Sequence, residues 1–493
     1  MTKMIQIHPR DNVAVALTAI PAGEVVSVGG CTVTAREEIA RGHKMALTSI
    51  LEGSDVIKYG VAIGHVTKDV QAGEWLHTHN VKTNLSGEKE YEYHPTHPVI
   101  EPAAPEAFMG YRRADGRAAI RNEIWIMPLV GCVNGIVKKL EKDNQDLVSG
   151  GIDGLYAFNH PYGCSQTGAD HAQTRKLLAS LVRHPNAAAV LVVGLGCENL
   201  THEQFVEELG EYDPQRVKFL TCQEVEDEYE AGRKLLEECA AYAQQFRREE
   251  IPVSELVIGM KCGGSDGLSG ITANPTVGRF SDLLVARGGT TILTEVPEMF
   301  GAESMLMDRC NTQEVFEDAV HMINGFKEYF ISHGEVVYEN PSPGNKKGGI
   351  TTLEDKSCGC VQKGGTAPIM GVLGYADQVK TPGLNMLYGP GNDLVSATAL
   401  TAAGAHMVLF TTGRGTPFGA PAPTVKISTN NELYNKKRNW IDFNAGTVTE
   451  GETIDEAGQR LLEYVIRVAG GEETSSEREG IRDMAIFKGG VTL

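Results

Sequence analysis

At 493 residues the chain is longer than a single hydrophobic core, so several domains are expected. The formal net charge of −19 at pH 7 argues against nucleic acid or an anionic membrane surface as a partner, because both require clustered cations. Ten cysteines are too few for a disulfide scaffold, and no apolar run reaches the length of a membrane span. We therefore expect a cytoplasmic protein with reduced thiols.

Residues 1–85 predict a domain of short β-strands, because alternating apolar runs such as Val13–Leu17 and Asp55–Ile63 are separated by turns that contain glycine. The composition then changes. Segment 86–108 contains the prolines Pro95, Pro98, Pro102 and Pro105, whose spacing prevents a helix and predicts an extended linker.

From residue 109 onward, strand-like apolar runs alternate with helical patterns, which is typical of an α/β architecture. A charged helix ends shortly before Glu249, and a new strand begins after Pro252. We therefore expect an α/β middle domain over 109–250 and a second α/β domain over 251–493.

Four apolar runs of this region end beside a cysteine, namely Cys132, Cys164, Cys197 and Cys262. Such runs predict buried parallel strands, and ligands bind beyond the carboxyl ends of parallel strands. Cysteine can ligate iron or zinc there, although most free cysteines only fill space. An iron–sulfur cluster on Cys164, Cys197 and Cys262 is a less favoured alternative, because these cysteines lack the usual tight spacing.

Two short motifs of the β-rich domain carry ionisable groups. His77 and His79 close a predicted strand, and alternate strand residues share a face, so both imidazoles can bind one metal ion. Two surface histidines are the alternative. His43 and Lys44 form a cationic pair that could meet a substrate carboxylate or supply a base, or simply belong to a solvated turn.

The glycine-rich loop Cys262–Gly270 follows a predicted strand and can present backbone N–H groups to an anion. It matches neither nucleotide-binding glycine pattern, so the oxyanions of a small acid fit better than a nucleotide. After the next strand, Glu295, Glu298 and Glu303 suit metal binding or general-base chemistry, with an exposed loop as the alternative.

Residues 340–360 show neither helical nor strand periodicity and predict a long functional loop, in which Lys356 is a candidate acid–base group. Two further loops, Gly389–Asp393 and Gly413–Pro417, follow apolar runs and contain the parts needed to hold an anion. We favour Arg414 as a bidentate clamp on a substrate carboxylate over a structural salt bridge.

Several stretches of the chain resemble the altronate/galactarate type of sugar-acid dehydratase. The matching stretches are Gly42–Lys44, His79–Asn80, Tyr162–Gln166, Gly194–Asn199, Cys262–Pro275, Glu295–Glu303, Asn340–Lys356, Gly413–Pro417, Ile486–Lys488 and Gly490–Leu493. The resemblance spans nearly the whole chain. It implies an N-terminal all-β domain of the β-clip (SAF) type, a linker, a middle domain involved in dimerisation, and a Rossmann-like C-terminal domain.

The resemblance also implies that a hexonate loses water to give a 2-keto-3-deoxy acid, with Fe²⁺ or Mn²⁺ as the cofactor. Altronate is the expected substrate, and galactarate or another sugar acid is the alternative. We expect His77 and His79 to bind the metal, and Lys44, Glu298 or Lys356, in that order of preference, to remove the C2 proton.

The expected substrate-binding residues are His43, Ser265, Asp266, Asn392, Asp393, Arg414 and Thr416. We expect a homodimer whose small-molecule partner is a sugar-acid substrate. A carbohydrate-binding protein without turnover is the alternative from a different functional class.

Overall fold

The computed structural model describes residues 2–87 and 89–493. The first part is a domain of short antiparallel strands that form a four-stranded sheet (order β1-β2-β5-β8), a three-stranded sheet (β6-β7-β9) and the hairpin β3-β4. Its strands are β1 (Met4–Ile5), β2 (Val13–Ala16), β3 (Val25–Val28), β4 (Cys31–Thr34), β5 (Lys44–Ala46), β6 (Asp55–Lys58), β7 (Val61–Val66), β8 (Trp75–Leu76) and β9 (Val81–Lys82). The expected N-terminal β-domain is confirmed.

Residues 89–106 have no regular secondary structure, as the prolines of this segment predict. The segment is nevertheless attached to the C-terminal part of the chain. The Tyr91 hydroxyl donates to the Glu303 carboxylate at 2.9 Å, and the Thr96 amide donates to the Asp308 carbonyl at 2.8 Å. The linker therefore runs along the surface of another domain.

A parallel four-stranded sheet of order β13-β12-β14-β15 forms the centre of the middle region. Its central strand β14 is buried at every residue, as expected for a parallel strand covered on both faces. A small antiparallel sheet, β11-β10-β16, joins the two ends of the region. The elements are β10 (Ala107–Arg112), β11 (Ala118–Ala119), β12 (Glu123–Pro128), α1 (Asn134–Asp143), β13 (Gly154–Ala157), α2 (Gly168–Val182), β14 (Ala187–Gly194), α3 (His202–Leu209), β15 (Val217–Thr221), α4 (Glu228–Ala243) and β16 (Arg248–Pro252).

The C-terminal region is built on a parallel seven-stranded sheet of order β19-β20-β18-β17-β21-β22-β23. Its elements are β17 (Val257–Cys262), α5 (Ala273–Val285), β18 (Thr290–Leu293), α6 (Ser304–Met307), α7 (Gln313–Ser332), α8 (Pro343–Lys347), α9 (Leu353–Cys360), β19 (Ile369–Leu373), β20 (Gly383–Leu387), α10 (Asp393–Ala402), β21 (Met407–Thr412), β22 (Thr424–Ser428), α11 (Asn431–Lys436), β23 (Phe443–Asn444), α12 (Ile454–Ala469) and α13 (Ser475–Arg478). The predicted α/β region with a parallel sheet is confirmed, whereas the finer expectation of a Rossmann-like domain stays a prediction.

The segment predicted as a loop, 340–360, contains two short helices. Ser342 caps α8 and Thr352 caps α9, each through a side-chain oxygen that accepts a backbone N–H. Every residue of α9 is buried. Because this helix is covered on all sides, its polar residues do not follow the one-sided pattern by which helices are recognised in a sequence.

The N-terminal β-domain and the C-terminal region share one apolar core. Val13, Val56 and Ile63 belong to the same buried cluster as Phe300 and Leu353. The β-domain is therefore packed on the helices that follow β18, and the groups on both sides of this contact are withdrawn from water. Among the described residues, none of the helices combines the length and apolar character needed to cross a bilayer.

A buried ion-pair network joins the middle sheet to the end of the chain. The Arg482 guanidinium donates to both oxygens of Glu123, at 2.7 and 2.9 Å, and to Glu477 at 2.9 Å. Glu477 also accepts from Arg121 at 2.7 Å, and Glu123 accepts from the Trp125 indole at 2.7 Å. All four charges are at least 95% withdrawn from solvent, so each depends on the others.

We predict that Arg482→Met lowers the free energy of unfolding by about 3–5 kcal/mol, because it leaves Glu123 and Glu477 buried with too little positive charge. Arg467→Met is the matched control, since Arg467 pairs with Glu472 at the surface and should cost less than about 1 kcal/mol. Urea denaturation of the two variants measures the difference. Equal effects would show that the buried network does not stabilise the fold.

Candidate active site

The order in which the chain adds strands to the C-terminal sheet reverses beside β17. The strands from β18 to β20 lie on one side of β17, and β21 to β23 lie on the other. In open α/β sheets, ligands bind outside the carboxyl ends of the strands at such a switch point. Cys262 is the last residue of β17, and Thr411 lies opposite it near the end of β21.

A thiol–carboxylate cluster, formed by Cys262, Glu298 and Cys360, lies at this point. The two sulfurs are 3.4 Å apart, and the Glu298 Oε2 atom is 3.2 Å from the first and 3.0 Å from the second. Glu298 is supplied by a 3₁₀ turn after β18, and Cys360 by the last turn of α9. Among the described residues, this is the only group of three Cys, His, Asp or Glu side chains with ligand atoms within 4.8 Å of one another.

Three buried lysines surround the thiol–carboxylate cluster. The Lys363 ammonium is 2.9 Å from the Cys262 sulfur and 3.2 Å from Glu295. Lys356 donates to Glu298 at 2.8 Å, and Lys261 pairs with both Glu295 and Asp393. The cluster therefore lies among closely spaced lysine and carboxylate side chains inside the protein.

Glu295 holds this arrangement in a strained conformation. Its φ of 72° lies in the left-handed region, which is unfavourable for a residue with a side chain. In return, its carboxylate accepts from the Cys262 amide at 2.9 Å and contacts Lys261 and Lys363. The strain places one carboxylate against the backbone and both cations, and so positions the Cys262 thiol.

The charges set the protonation states of the thiol–carboxylate cluster. Burial alone would raise the pKa of Glu298, but the ammonium groups of Lys356 and then Lys261 outweigh burial and hold the pKa below its usual range. The pKa of Cys360 is raised well above its usual value by the hydrogen bond with Cys262 and by burial. Glu298 is therefore anionic, and Cys360 is a thiol until a cation displaces its proton.

A second buried group, the interdomain lysine cluster, consists of Lys44, Lys58 and Asp355. Lys44 on β5 and Lys58 on β6 belong to the N-terminal domain, and Asp355 belongs to α9. Lys44 donates to one Asp355 oxygen at 2.7 Å and Lys58 to the other at 2.9 Å. Lys44 also donates to the Gly349 carbonyl at 2.8 Å.

The interdomain lysine cluster has two cations and one anion, so one lysine can lose its proton and leave a neutral ion pair. Burial, helped by the charge of Lys58, lowers the pKa of Lys44 to about 8 against the opposing effect of Asp355. The pKa of Lys58 is instead raised, because Asp355 and Tyr59 outweigh burial. A neutral Lys44 keeps two N–H donors for Gly349 and Asp355, and its lone pair remains free to accept a proton.

An open cleft of about 400 Å³ lies at the contact between the N-terminal and C-terminal domains. Arg41 and Gly42 line one side, and Asp266, Gly348 and Arg414 line the other. The backbones approach closely here, since a Cβ atom at position 267 would lie 2.0 Å from the Gly42 carbonyl oxygen. This cleft has the volume of a small-molecule site.

The chain matches three family descriptions that together cover most of its length. They are the altronate/galactarate dehydratase SAF domain over residues 2–84, the second domain of D-galactarate dehydratase/altronate hydrolase over residues 110–244, and the C-terminal domain of D-galactarate/altronate dehydratase over residues 253–492. An altronate dehydratase of Escherichia coli (strain K12) is 53% identical over 99% of both chains. The chain belongs to the D-galactarate/altronate dehydratase family.

Other members of this family are also similar over nearly the whole length. An altronate dehydratase of Bacillus subtilis (strain 168) is 52% identical over 100% of both chains. The L-threo-forming galactarate dehydratase of Escherichia coli (strain K12) is 34% identical over 98% of this chain and 96% of its own. The family identified from the sequence motifs is confirmed.

The predicted base candidates lie in the two buried clusters. Lys44 belongs to the interdomain lysine cluster, whereas Glu298 and Lys356 pair with each other beside the thiols. Glu303, the third carboxylate after β18, is instead bonded to Tyr91 and Lys327. The alternative of an exposed loop does not hold for these glutamates, because Glu295, Glu298 and Glu303 are all buried.

The predicted histidine ligands surround an aromatic ring. The His77 ring stacks on Trp75 at 5.3 Å, and His79 lies against the same indole at 4.8 Å. His43 accepts from the Trp75 indole N–H at 3.1 Å and contacts the Lys347 carbonyl at 3.3 Å. Burial, and then Lys44, lowers the pKa of His77 to about 4, so this imidazole is neutral as a metal ligand must be.

The predicted substrate-binding residues are spread around the cleft and the switch point. Asp266 is half-buried and accepts from Ser269 and Thr429, and Arg414 is exposed on the cleft wall. Burial raises the pKa of Asp266. The remaining positions make structural contacts: Ser265 through its carbonyl to Asn345, Asn392 as the cap of α10, Asp393 to Lys261, and Thr416 through its carbonyl to Lys426.

The sequence did not predict that the Cys262 and Cys360 sulfurs lie side by side, or that the buried Lys261 and Lys363 lie next to them. In the sequence, Cys262 ends a predicted strand, whereas Cys360 lies in a segment without helical or strand periodicity. The pattern did offer one signal for Lys261, which replaces the glycine found before the other strand-end cysteines. A buried strand that ends in lysine needs an internal carboxylate partner, and Glu295 supplies it.

We predict that adding Fe²⁺, Mn²⁺ or Zn²⁺ under anaerobic conditions stabilises the protein through the thiol–carboxylate cluster, by about 2.7 kcal/mol at about 100 times Kd. Cys262→Ser and Cys360→Ser should lose this stabilisation. Affinity should fall as pH falls, because ligation requires thiolates. Calorimetric titration and thermal unfolding measure both effects.

Cys358→Ser is the matched control, since Cys358 is as deeply buried on the same helix but lies outside the cluster. It should bind the ion as the unchanged protein does. Undiminished binding by Cys262→Ser and Cys360→Ser would exclude this cluster as the ion site.

Proposed function

We propose that the protein is a hydro-lyase that removes water from D-altronate to give 2-keto-3-deoxy-D-gluconate. The observation that carries the proposal is the identity of 52–53% over the whole chain with two altronate dehydratases. The family match supports a sugar-acid dehydratase, and the higher identity to the altronate enzymes than to the galactarate enzyme supports altronate over galactarate.

The reaction needs a base for the C2 proton of the hydroxy acid and an acid for the departing C3 hydroxyl. Lys44 fits the role of the base, because its lowered pKa makes the neutral amine available near neutral pH. Its lone pair would accept the C2 proton, while Asp355 and Gly349 hold the amine in place. Asp355 would then stabilise the ammonium that forms.

Lys356 fits the role of the acid. Burial would lower its pKa, but the Glu298 carboxylate outweighs burial and raises the pKa above its usual range. The ammonium is therefore held in its protonated form, 2.8 Å from Glu298. Lys356 would donate a proton to the C3 hydroxyl as it leaves, and the enol that remains would convert to the keto acid.

The substrate would enter from the interdomain cleft. Asp266 lines both this cleft and a cavity of about 10 Å³ that Asp355, Lys356 and Cys360 also line. The cavity has room for about one water molecule, so the two domains would have to separate to admit a hexonate. Arg414 would meet the carboxylate at the cleft wall and offset the negative charge of the protein.

The donor set of Cys262, Glu298 and Cys360 fits a divalent ion, because two thiols and a carboxylate at 3.0–3.4 Å from one another can converge on one centre. Thiolate ligands favour Fe²⁺ over Mn²⁺. A divalent cation held there would supply Lewis-acid stabilisation of negative charge on the substrate. His77 and His79 remain the alternative site that the sequence predicts.

The resemblance to the family further supports a homodimeric enzyme of the cytoplasm that acts in hexuronate breakdown. Sedimentation analysis tests the dimer, which should have twice the mass of the 53.2 kDa chain.

We predict that the anaerobic protein with Fe²⁺ or Mn²⁺ forms a 2-keto-3-deoxy acid from D-altronate with a higher kcat/KM than from galactarate or other hexonates. A keto-acid assay across these substrates and metals measures the preference. Faster turnover of galactarate would select the alternative substrate. Binding of hexonates without any product would identify a carbohydrate-binding protein.

We predict that Lys44→Met lowers kcat by about 100-fold or more at every pH, as expected for loss of a general base. In the unchanged protein, kcat/KM should rise with pH and level off above a pKa of about 8, because only the neutral amine accepts a proton.

Lys58→Met is the matched variant for this experiment, since Lys58 shares Asp355 but is not the proposed base. Removing its charge raises the pKa of Lys44, so the rise in kcat/KM should move to higher pH while the plateau is largely kept. A Lys44→Met variant that retains turnover, or a profile that Lys58→Met does not move, would contradict the assignment.

A further inference from the structure

Every strand of the parallel middle sheet is followed by a cysteine. Cys132 follows β12, Cys164 follows β13, Cys197 follows β14 and Cys222 follows β15. None of these four thiols has a part in the proposed dehydration. Cys262, by contrast, is the last residue of β17 in the seven-stranded sheet, so the strand-end cysteines are divided between two sheets.

Three of the cysteine loops are tied together by hydrogen bonds next to the thiols. The Gly131 amide donates to the Tyr162 carbonyl at 2.8 Å, which joins the Cys132 loop to the Cys164 loop. The Leu200 amide donates to the Gly163 carbonyl at 3.0 Å, which joins the Cys164 loop to the Cys197 loop. The Asn199 side chain accepts from the Cys164 thiol at 3.3 Å. The Cys164 loop therefore lies between the other two.

These loops are held in fixed and partly strained conformations. Ser165 has a φ of 58°, in the left-handed region, and its amide donates to Asn199 at 2.8 Å. The Glu198 carboxylate is buried and accepts from the amides of Leu195 and Gly196 at 2.8 and 2.6 Å. Strain of this kind persists where the surrounding structure holds a site in place.

Two glutamine side chains lie next to the cysteine loops, and one of them has an unused hydrogen-bond donor. The Gln223 amide donates to the Cys197 sulfur at 3.5 Å. Gln166, two residues after Cys164, is only 2% exposed, and its Nε2 atom has no hydrogen-bond partner among the described residues. The other end of this amide accepts from the Gly163 N–H at 3.3 Å, next to Cys164. A buried amide donor without a partner is costly, and a ligand bound at the Cys164 loop could supply its acceptor.

The spacing of the thiols argues against a single ion. A tetrahedral ion with metal–sulfur bonds of about 2.3 Å requires its sulfurs about 3.8 Å apart. Within the described ranges, the three cysteines do not form a group with sulfurs inside 4.8 Å of one another. A [4Fe–4S] cluster binds each thiolate to a different iron, and so accepts more widely spaced cysteines.

We propose that Cys132, Cys164 and Cys197 bind an iron–sulfur cluster through three thiolates, with one iron left without a cysteine ligand. The three thiol protons pass to solvent when the cluster binds, which the exposure of Cys132 and Cys197 allows. Cys222 is not assigned as a ligand, because it follows β15 at the edge of the sheet, beyond the Cys197 loop, whereas the Cys132 and Cys197 loops are both bonded directly to the Cys164 loop. This site is additional to the proposed function and independent of the thiol–carboxylate cluster.

The experiment uses the full chain, purified without oxygen. Iron, acid-labile sulfide, visible absorbance and the electron paramagnetic resonance signal after reduction are measured. The unchanged protein should contain iron and sulfide in similar amounts. Cys132→Ser, Cys164→Ser and Cys197→Ser should each lose the sulfide and the resonance signal, whereas Cys222→Ser and Cys31→Ser should keep both.

Loss of folding is separated from loss of the cluster by circular dichroism and by ion binding at the thiol–carboxylate cluster, which the three variants should retain. Protein without sulfide, even after reconstitution with ferric iron, sulfide and a thiol reductant, would overturn the proposal. Loss of the cluster in Cys222→Ser would show that Cys222 is also a ligand, and would overturn the proposal that one iron has no cysteine ligand. Glu298→Gln should lose turnover and keep the sulfide, so failure of this proposal and failure of the proposed function are distinguishable.

Discussion

The structure depends on the need to neutralise charge on a helix that no water reaches. Helix α9 is buried on all sides, yet it carries Asp355 and Lys356 side by side. Asp355 pairs with two lysines of the N-terminal domain, and Lys356 pairs with Glu298, which follows β18. Because an unpaired charge in such a place would cost several kcal/mol, these ion pairs favour the docked arrangement of the two domains.

This requirement also explains why the chemistry lies where it does. The pairing of α9 brings Cys360 to Cys262 and Glu298 at the switch point of the sheet, and brings Lys44 to the other side of the same helix. Two lysines share Asp355, whereas Lys356 has Glu298. The pKa of Lys44 is lowered and that of Lys356 raised, so these surroundings make one lysine a readier proton acceptor than the other.

The proposed iron–sulfur site of the middle domain lies at the same kind of position as the thiol–carboxylate cluster. In both sheets, cysteines stand at the carboxyl ends of parallel strands, where backbone groups and side chains converge. The thiols of the middle sheet are at or near the surface, and those at the switch point are buried among lysines. The same local pattern therefore serves two kinds of site, because the surroundings of the sulfur differ.

The sequence by itself determined the β-rich start, the proline-rich extended segment, the parallel α/β region and the family, because these depend on local periodicity, turn residues and long matching motifs. It also singled out Lys44, Glu298 and Lys356. It did not predict α8 and α9, since buried polar helices lack a one-sided apolar pattern. Only the tertiary structure decided that Lys44 meets Asp355, 311 residues away, and that Cys262 meets Cys360. Pairings over such distances follow from how whole domains pack, and no local spacing records them.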